Sequence, residues 1–236
     1  MKIVLIGYGK MGKTIEEKAL KKGHNICGIV SADNHSELSV LAHEADVAIE
    51  FTNPEAAYDN ITKCLELKLP VVSGTTGWLD KYDEVARMSQ TQKTGLFYAS
   101  NYSIGVNIFF AINKKLAALM HPYSDYNVQI DETHHIHKLD EPSGTAITTA
   151  EGILSHLDQK KDWLLNAKDQ DKITIVSHRE GEVYGKHTVH YNSPIDEIIL
   201  THNAHNRDGF ALGAITAAEW IIDKQGPYGM ADMLGL

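Results

Sequence analysis

The sequence predicts an α/β protein in two parts: a parallel-sheet unit of strand–helix–strand crossovers, then an α+β unit with a mixed open sheet. Three observations predict it. A glycine-punctuated turn, "GYGKMG", follows a short apolar run near the start of the chain. Apolar runs then alternate with helical segments up to about residue 100, which implies βαβ units and right-handed crossovers. Beyond Asn101 the strands cluster and alternate polar with apolar side chains, the pattern of a sheet with one covered face.

Element by element, "KIVLI" (2–6) is bounded by glycine and reads as a buried parallel strand. "KTIEEKALKKG" follows as a helix, with Gly23 at the position just past its end. "NICGIVS", "DVAIEFT" (46–52), "PVVSGTT" (70–76) and "GLFYAS" (95–100) read as further strands. Helices begin between them at Pro54 and near Leu79. "SIGVNIFFAINKKLAALMH" is a long amphipathic helix. Strands are expected in "YNVQIDETHH", "KITIVSHREG", "KHTVHYNS" and "DEIILTHNAH", interrupted by one helix from Ala146 to about Leu157. A last helix covers "GFALGAITAAEWIIDK".

The chain has 236 residues, 43% hydrophobic and 22% charged, ordinary values for a globular protein. No apolar run approaches the roughly 18 residues of a membrane span, and the N-terminal run reads as a strand rather than a signal peptide. Cys27 and Cys64 lack any staple or zinc spacing, so two reduced core thiols and a cytoplasmic setting are expected. The formal charge of −9 argues against nucleic acid as a partner. A local cluster of cations and helix N-termini can still attract an acidic small molecule.

Gly7, Gly9 and Gly12 complete G-x-G-x-x-G between a strand and a helix, the fingerprint of a Rossmann-type dinucleotide site. The loop Gly7, Tyr8, Gly9, Lys10, Met11 and Gly12 is therefore expected to cradle a pyrophosphate. The second strand ends at Ser31, with Asp33 two residues on. A carboxylate there would hold the ribose hydroxyls of NADH, whereas a neutral corner near Lys10 and Lys13 tolerates the phosphate of NADPH. Cofactor choice stays open at this point, and use of both is expected.

The stretch "ETHHIHKLDEPSGTA" (132–146) carries the other half of the chemistry. A metal reading of His134, His135 and His137 is poor, because adjacent histidines rarely reach one ion and no spaced partner completes the shell. Proton handling fits better. His134 and Lys138 stand four apart, which places them on one face whether the segment is strand or helix, and together they can deliver a proton and neutralise a carboxylate. Pro142 suits a first helical turn, Ser143 a cap, and Gly144 and Thr145 offer close donors, which makes a carboxylate cradle. A hydride site in one half and an acid-plus-anion site in the other indicate a reductase of an acidic metabolite.

"HHIHKLDEPSGTA" is similar to the H-H-x-x-K-x-D-x-P-S-G-T-A run of the 4-hydroxy-tetrahydrodipicolinate reductase family, with Glu141 where alanine is commonest. "DVAIEFTNPE", "SGTTGW", "ASNYSIGVN", "REGEVYGKHTVHY" and "FALGAITAAEWI" also resemble family segments, in the right order. The resemblance implies NADH- or NADPH-dependent reduction of 4-hydroxy-tetrahydrodipicolinate, in the diaminopimelate route to lysine. By resemblance His134 is the proton donor and Lys138 a second catalytic residue. His135, Ser143, Gly144 and Thr145 would bind the substrate carboxylates. Gly74, Thr75 and Thr76, with Ala99, Ser100, Asn101 and Tyr102, would line the nicotinamide side of the cofactor.

The resemblance also implies a dinucleotide-binding domain over 1–102, rejoined by 209–236, and a substrate and tetramerisation domain over 103–208. Its open four-stranded sheet would assemble a homotetramer. Ser31 departs from the acidic residue frequent in the family, and Asn206 from the usual serine before Arg207. An aspartate or homoserine dehydrogenase would not need the adjacent histidines before P-S-G-T. A non-catalytic dinucleotide sensor would not need to keep the acid and the cradle.

Overall fold

The computed structural model describes residues 1–236 and divides them into two compact units, Met1–Ile104 with Asp208–Leu236, and Gly105–Arg207. In chain order the first unit opens with β1 (Lys2–Ile6), α1 (Lys10–Lys21), β2 (Asn25–Val30) and the short α2 (Leu38–Leu41). β3 (Val47–Glu50), α3 (Pro54–Glu66), β4 (Val71–Ser73), α4 (Tyr82–Gln92) and β5 (Gly95–Tyr98) complete its first pass. Gly23 follows α1 at φ +82°, where a residue with Cβ is strained, and it ends the helix as expected. Asn53 caps α3 by accepting from the Ala56 N–H at 3.0 Å, with Pro54 in the first turn.

The second unit begins as α5 (Ile104–Met120) leaves the first. It holds β6 (Asn127–His134), α6 (Gly144–Leu154), β7 (Asp162–Leu165), β8 (Lys172–Arg179), β9 (Lys186–Asn192) and β10 (Glu197–Asn203). Its sheet runs β10-β9-β6-β8-β7, antiparallel on the β9 side of β6 and parallel on the β8 side. This sheet has five strands where four were expected. The added strand, "DWLL", is too short to show an alternating pattern. Val128, Ile130, Ile173, Ile175 and Val189 cover α5 and α6 with one apolar face.

α7 (Asp208–Ile221), β11 (Gly226–Tyr228) and α8 (Met230–Leu234) return to the first unit. Its sheet reads β11-β5-β4-β3-β1-β2, all parallel. α7 buries Ala211, Ala214, Ile215, Ala218 and Ile221 against one face, beside Ile3, Leu5, Ile49 and Phe97. Each large side chain so buried contributes about 1.5–3 kcal/mol. α3 and α4 cover the other face with Ile61, Leu65 and Val85.

Candidate active site

In the first unit β2 lies on one side of β1 and β3 on the other, so the loops after β1 and β3 diverge. Open α/β sheets receive ligands at such a switch point. The crevice here is a cleft of about 490 Å³, lined in part by Gly7, Gly9, Ser31, His35, Thr52 and Asn60. Gly7 has φ +94°, and a Cβ on it would lie 2.1 Å from the Phe51 carbonyl oxygen. A Cβ on Gly12 would lie 2.3 Å from the Gly7 carbonyl oxygen, so α1 can pack this close only with glycine. α1 has neither a side-chain cap nor an acidic residue in its first turn. Its first N–H groups are left for an anion.

The corner at the end of β2 is where an adenosine ribose was expected. Ser31 lines the cleft, and its N–H and Oγ are bound to Asn34 Oδ1 at 2.7 and 3.0 Å. Asp33 is exposed in the turn that follows and does not line the cleft; His35 does, hydrogen-bonded to Asn60 Oδ1 at 3.0 Å. Tyr8 lines the cleft and donates its hydroxyl to Glu16, while Lys10 and Met11 fall on the first turn of α1 outside the lining.

Glu50, at the end of β3, is fully buried and was not singled out by the sequence. It accepts from Ser73 Oγ at 2.6 Å, Thr75 Oγ1 at 2.8 Å and the Thr52 N–H at 3.0 Å, and also from the Thr52 hydroxyl. Thr75 is thereby fixed, with Gly74 beside it and Thr76 exposed. Ala99 is buried and Ser100 exposed, and Asn101 Oδ1 accepts from the Ser103 N–H at 2.9 Å. The Tyr102 side chain is core. The ring packs 5.7 Å from Phe51 and 5.9 Å from Phe97, and the hydroxyl donates to the Ser73 carbonyl at 2.6 Å.

In the second unit, β6 turns Val128, Ile130, Glu132 and His134 to its buried face. Glu132 is fully buried, and both of its oxygens accept from the Ser143 N–H at 3.1 Å. Ser177 Oγ donates to it at 2.7 Å, and Arg179 Nη1 reaches it at 3.5 Å. Burial alone would raise its pKa, but hydrogen bonds from Ser143 and Ser177 and the nearby His134 outweigh that, and the net shift is downward. It is a carboxylate.

His134 Nδ1 lies 3.4 Å from Glu132 Oε2, a close electrostatic contact without the alignment of a hydrogen bond. Burial lowers the pKa of His134, Glu132 pulls it up, and Lys138 and Arg179 push it down; the net direction is down. His187 Nε2 sits 3.1 Å from Ser143 Oγ and 3.8 Å from Glu132, and burial lowers its pKa to about 3. Ligand atoms of Glu132, His134 and His187 converge within 4.8 Å, a set a cation could use. The Glu132 oxygens, however, already accept from Ser143 and Ser177.

Ser143 Oγ accepts from the Ala146 N–H at 3.2 Å and so caps α6. Ser143 is therefore committed internally, by both its N–H and its hydroxyl. The open donors at this helix start are the N–H groups of Gly144 and Thr145. Pro142 precedes the cap rather than sitting in the first turn. His134 and Lys138 do not share a strand face, because β6 ends at His134. A turn closed by Lys138 N–H to the His135 carbonyl (3.1 Å) follows, and Lys138 Nζ sits 2.7 Å from both oxygens of Asp140. Arg179 donates to the Asp140 carbonyl at 2.8 Å and steadies this loop. Arg207 Nη2 donates to His135 Nε2 at 3.2 Å, which adds a guanidinium to the same edge. His137 is exposed, 3.5 Å from Glu182.

A glycine-rich phosphate loop on a parallel sheet, with a second unit carrying a buried histidine beside a free helix start, defines a two-part dinucleotide-dependent oxidoreductase. Comparison with known proteins narrows the class. The family model described as "Dihydrodipicolinate reductase, N-terminus" matches residues 1–102, and "Dihydrodipicolinate reductase, C-terminus" matches 105–234. The chain belongs to the dihydrodipicolinate reductase family. It is 49% identical over 236 residues to the 4-hydroxy-tetrahydrodipicolinate reductase of Christiangramia forsetii, covering 99% of this chain and 98% of that one. The enzyme of the same name from Neisseria meningitidis is 34% identical, with 89% and 78% covered.

Among solved structures, the dipicolinate-bound dihydrodipicolinate reductase of Paenisporosarcina superposes with a TM-score of 0.80 at 22% identity, covering 98% of both chains. A probable dehydrogenase from Thermotoga maritima gives a TM-score of 0.61 at 10% identity, with 99% of this chain and 92% of that one covered. Both likenesses are of fold. The family is one of NAD(P)H-using oxidoreductases, and no helix here is long and apolar enough to cross a membrane.

Proposed function

We propose that the protein reduces 4-hydroxy-tetrahydrodipicolinate to tetrahydrodipicolinate with NADH or NADPH, in the diaminopimelate route to lysine. The observation that carries this reading is His134, buried against an ionised Glu132 in the unit where α6 offers the free N–H groups of Gly144 and Thr145. The net change replaces a hydroxyl by hydrogen and releases water, so it consumes one hydride and one proton. The dihydronicotinamide, when bound, supplies the hydride. The cleft at Gly7 and the free start of α1 suit its pyrophosphate.

His134 supplies the proton. Two substrate carboxylates, by their charge, raise the proton affinity of a ring that burial otherwise keeps neutral. Gly144 and Thr145 N–H groups and His135 hold one carboxylate, and Lys138 exchanges Asp140 for the other. Ser143 serves this cradle as its cap. Gly74, Thr75, Thr76 and Ala99–Tyr102 border the nicotinamide, Tyr102 through its backbone. Ser31, Lys10 and the Gly7–Gly12 loop hold the adenosine side, with Asp33 free to move in. Dual cofactor use, a homotetramer assembled through the 103–208 region and a cytoplasmic location complete the reading.

The test is a coupled assay in which purified protein receives the product of dihydrodipicolinate synthase and either dinucleotide, with absorbance at the dihydronicotinamide band followed. His134→Gln should lower turnover by roughly 10²–10⁴, the usual contribution of a general acid, with dinucleotide affinity unchanged. A variant turning over at the wild-type rate would remove His134 from the mechanism.

A further inference from the structure

We infer that Glu132 is a positioning residue for the proton transfer: its buried carboxylate keeps Nδ1 of His134 protonated, leaves Nε2 to face substrate, and anchors Ser143, the cap of α6. The inference rests on the reading of His134 as proton donor. Nδ1 is buried and faces Glu132 Oε2 at 3.4 Å, while Nε2 points the other way, toward Gly185. With the carboxylate ionised, a proton on Nδ1 is attracted to it, and a proton acquired at Nε2 makes an imidazolium with its counter-ion already in place. Transfer of the Nε2 proton to substrate leaves the neutral ring protonated at Nδ1, and solvent restores the other proton. No oxidant or further group is needed.

The same carboxylate accepts the Ser143 N–H with both oxygens, so the acid and the anion-binding start of α6 hang from one fixed charge. Ser177 Oγ at 2.7 Å and Arg179 Nη1 at 3.5 Å hold that charge from β8. The other charged or titratable groups facing His134 come from every neighbouring element: Lys138 and Asp140 from the β6–α6 loop, Arg179 from β8, and His187 from β9, whose edge His202 of β10 adjoins. Of these only Glu132 lies against Nδ1. The alignment short of a hydrogen bond leaves room for the ring to close on the carboxylate once charged.

The experiment uses the full-length protein with saturating NADPH. Glu132→Gln, an isosteric change, should lower kcat by about 10–100-fold, part of the roughly 10²–10⁴ that a general acid contributes. It should also move the alkaline fall of the kcat–pH profile to lower pH, because the imidazolium loses its counter-ion. The KM for NADPH should not change. Glu132→Asp, which keeps the charge, should return the profile toward wild type, a recovery that a packing role would not give. Nitrogen-15 spectra of the histidine-labelled wild type, assigned with His134→Gln, should show neutral His134 protonated at Nδ1, and this decides the matter even where Glu132→Gln does not fold. A wild-type profile in folded Glu132→Gln, or a neutral ring protonated at Nε2, would overturn the inference. An active His134→Gln would instead overturn the reading beneath it.

Discussion

Replacing Gly185 with alanine puts a methyl group where the site leaves only space. The ideal Cβ would lie 3.1 Å from His134 Nε2, 3.4 Å from its Cδ2 and 3.7 Å from His187 Cε1. Gly185 has φ +154°, close to extended, so backbone strain costs about 1 kcal/mol, the low end of the usual range. The methyl cannot be relieved by moving Gly185, whose carbonyl accepts from the Ala204 N–H at 2.8 Å. The imidazole gives way instead. Proton transfer needs Nε2 within about 2.6–3.2 Å of its acceptor, and a misplacement of about 1 Å costs on the order of 10²-fold. A 3.1 Å contact displaces the ring by only a few tenths of an ångström, a fraction of that misplacement. We therefore expect kcat to fall about 3–10-fold in Gly185→Ala while Tm drops by roughly 2–4 °C, the shift that follows from about 1 kcal/mol in a chain of this size. Steady-state kinetics at saturating dinucleotide, with thermal unfolding alongside, measure both. A folded variant with kcat within about twofold of wild type would show that Nε2 is not the atom that meets substrate.

Lys138→Ala should raise the KM for the dicarboxylate about tenfold, roughly 1.4 kcal/mol, and lower kcat as well; an unchanged KM would separate Lys138 from substrate. Ser31→Asp should shift the kcat/KM ratio toward NADH by adding a ribose acceptor and repelling the 2′-phosphate; the wild type should use both within about tenfold, and a hundredfold NADH preference would contradict the neutral-corner argument. His187, held at about 3 by burial, takes up no proton in the folded protein at pH 5, whereas the unfolded chain does below about 6.5. Stability should therefore be level above pH 6.5 and fall as pH drops from there toward 3, by about 1–2 kcal/mol at pH 5. His134, lowered too, adds to the same slope, while Glu132 acts only below the ordinary carboxylate range. Urea unfolding at pH 7.5 and 5.0 should show the loss, and His187→Gln should reduce it.

The parallel sheet was legible because its strands are short apolar runs closed by glycine, a pattern set by burial on both faces. "DWLL" and "GPY" were not, being four and three residues long and paired at sheet edges. The glycine loop could be read residue by residue because each glycine answers a steric demand. The charged partners could not, since Glu50 and Glu132 act from inside the core, where sequence reading expects apolar side chains. A signal for Glu132 was nevertheless present: Val128, Ile130, Glu132 and His134 stand two apart on β6, which places the acid and the histidine on the core face together. Lys138 was misplaced because the strand ends at His134, and Asp140 rather than the strand sets where its ammonium sits. The burial of the Tyr102 ring was not legible, because a motif carries no measure of burial.

The first unit is assembled from two separate stretches of chain, with α7 and β11 arriving after the whole of the second unit. During synthesis the face of the sheet bearing Ile3, Leu5 and Ile49 must wait for Ala214, Ile215 and Ile221 to emerge. At about 5–20 residues per second, the intervening segment alone imposes a delay of roughly 5–20 s. Over that interval the second unit, continuous from Gly105 to Arg207, is free to close on itself. The nascent first unit meanwhile leaves Ile3, Leu5 and Ile49 without the apolar cover that α7 later gives them, so this face is the part of the molecule most exposed to aggregation before the last helix docks.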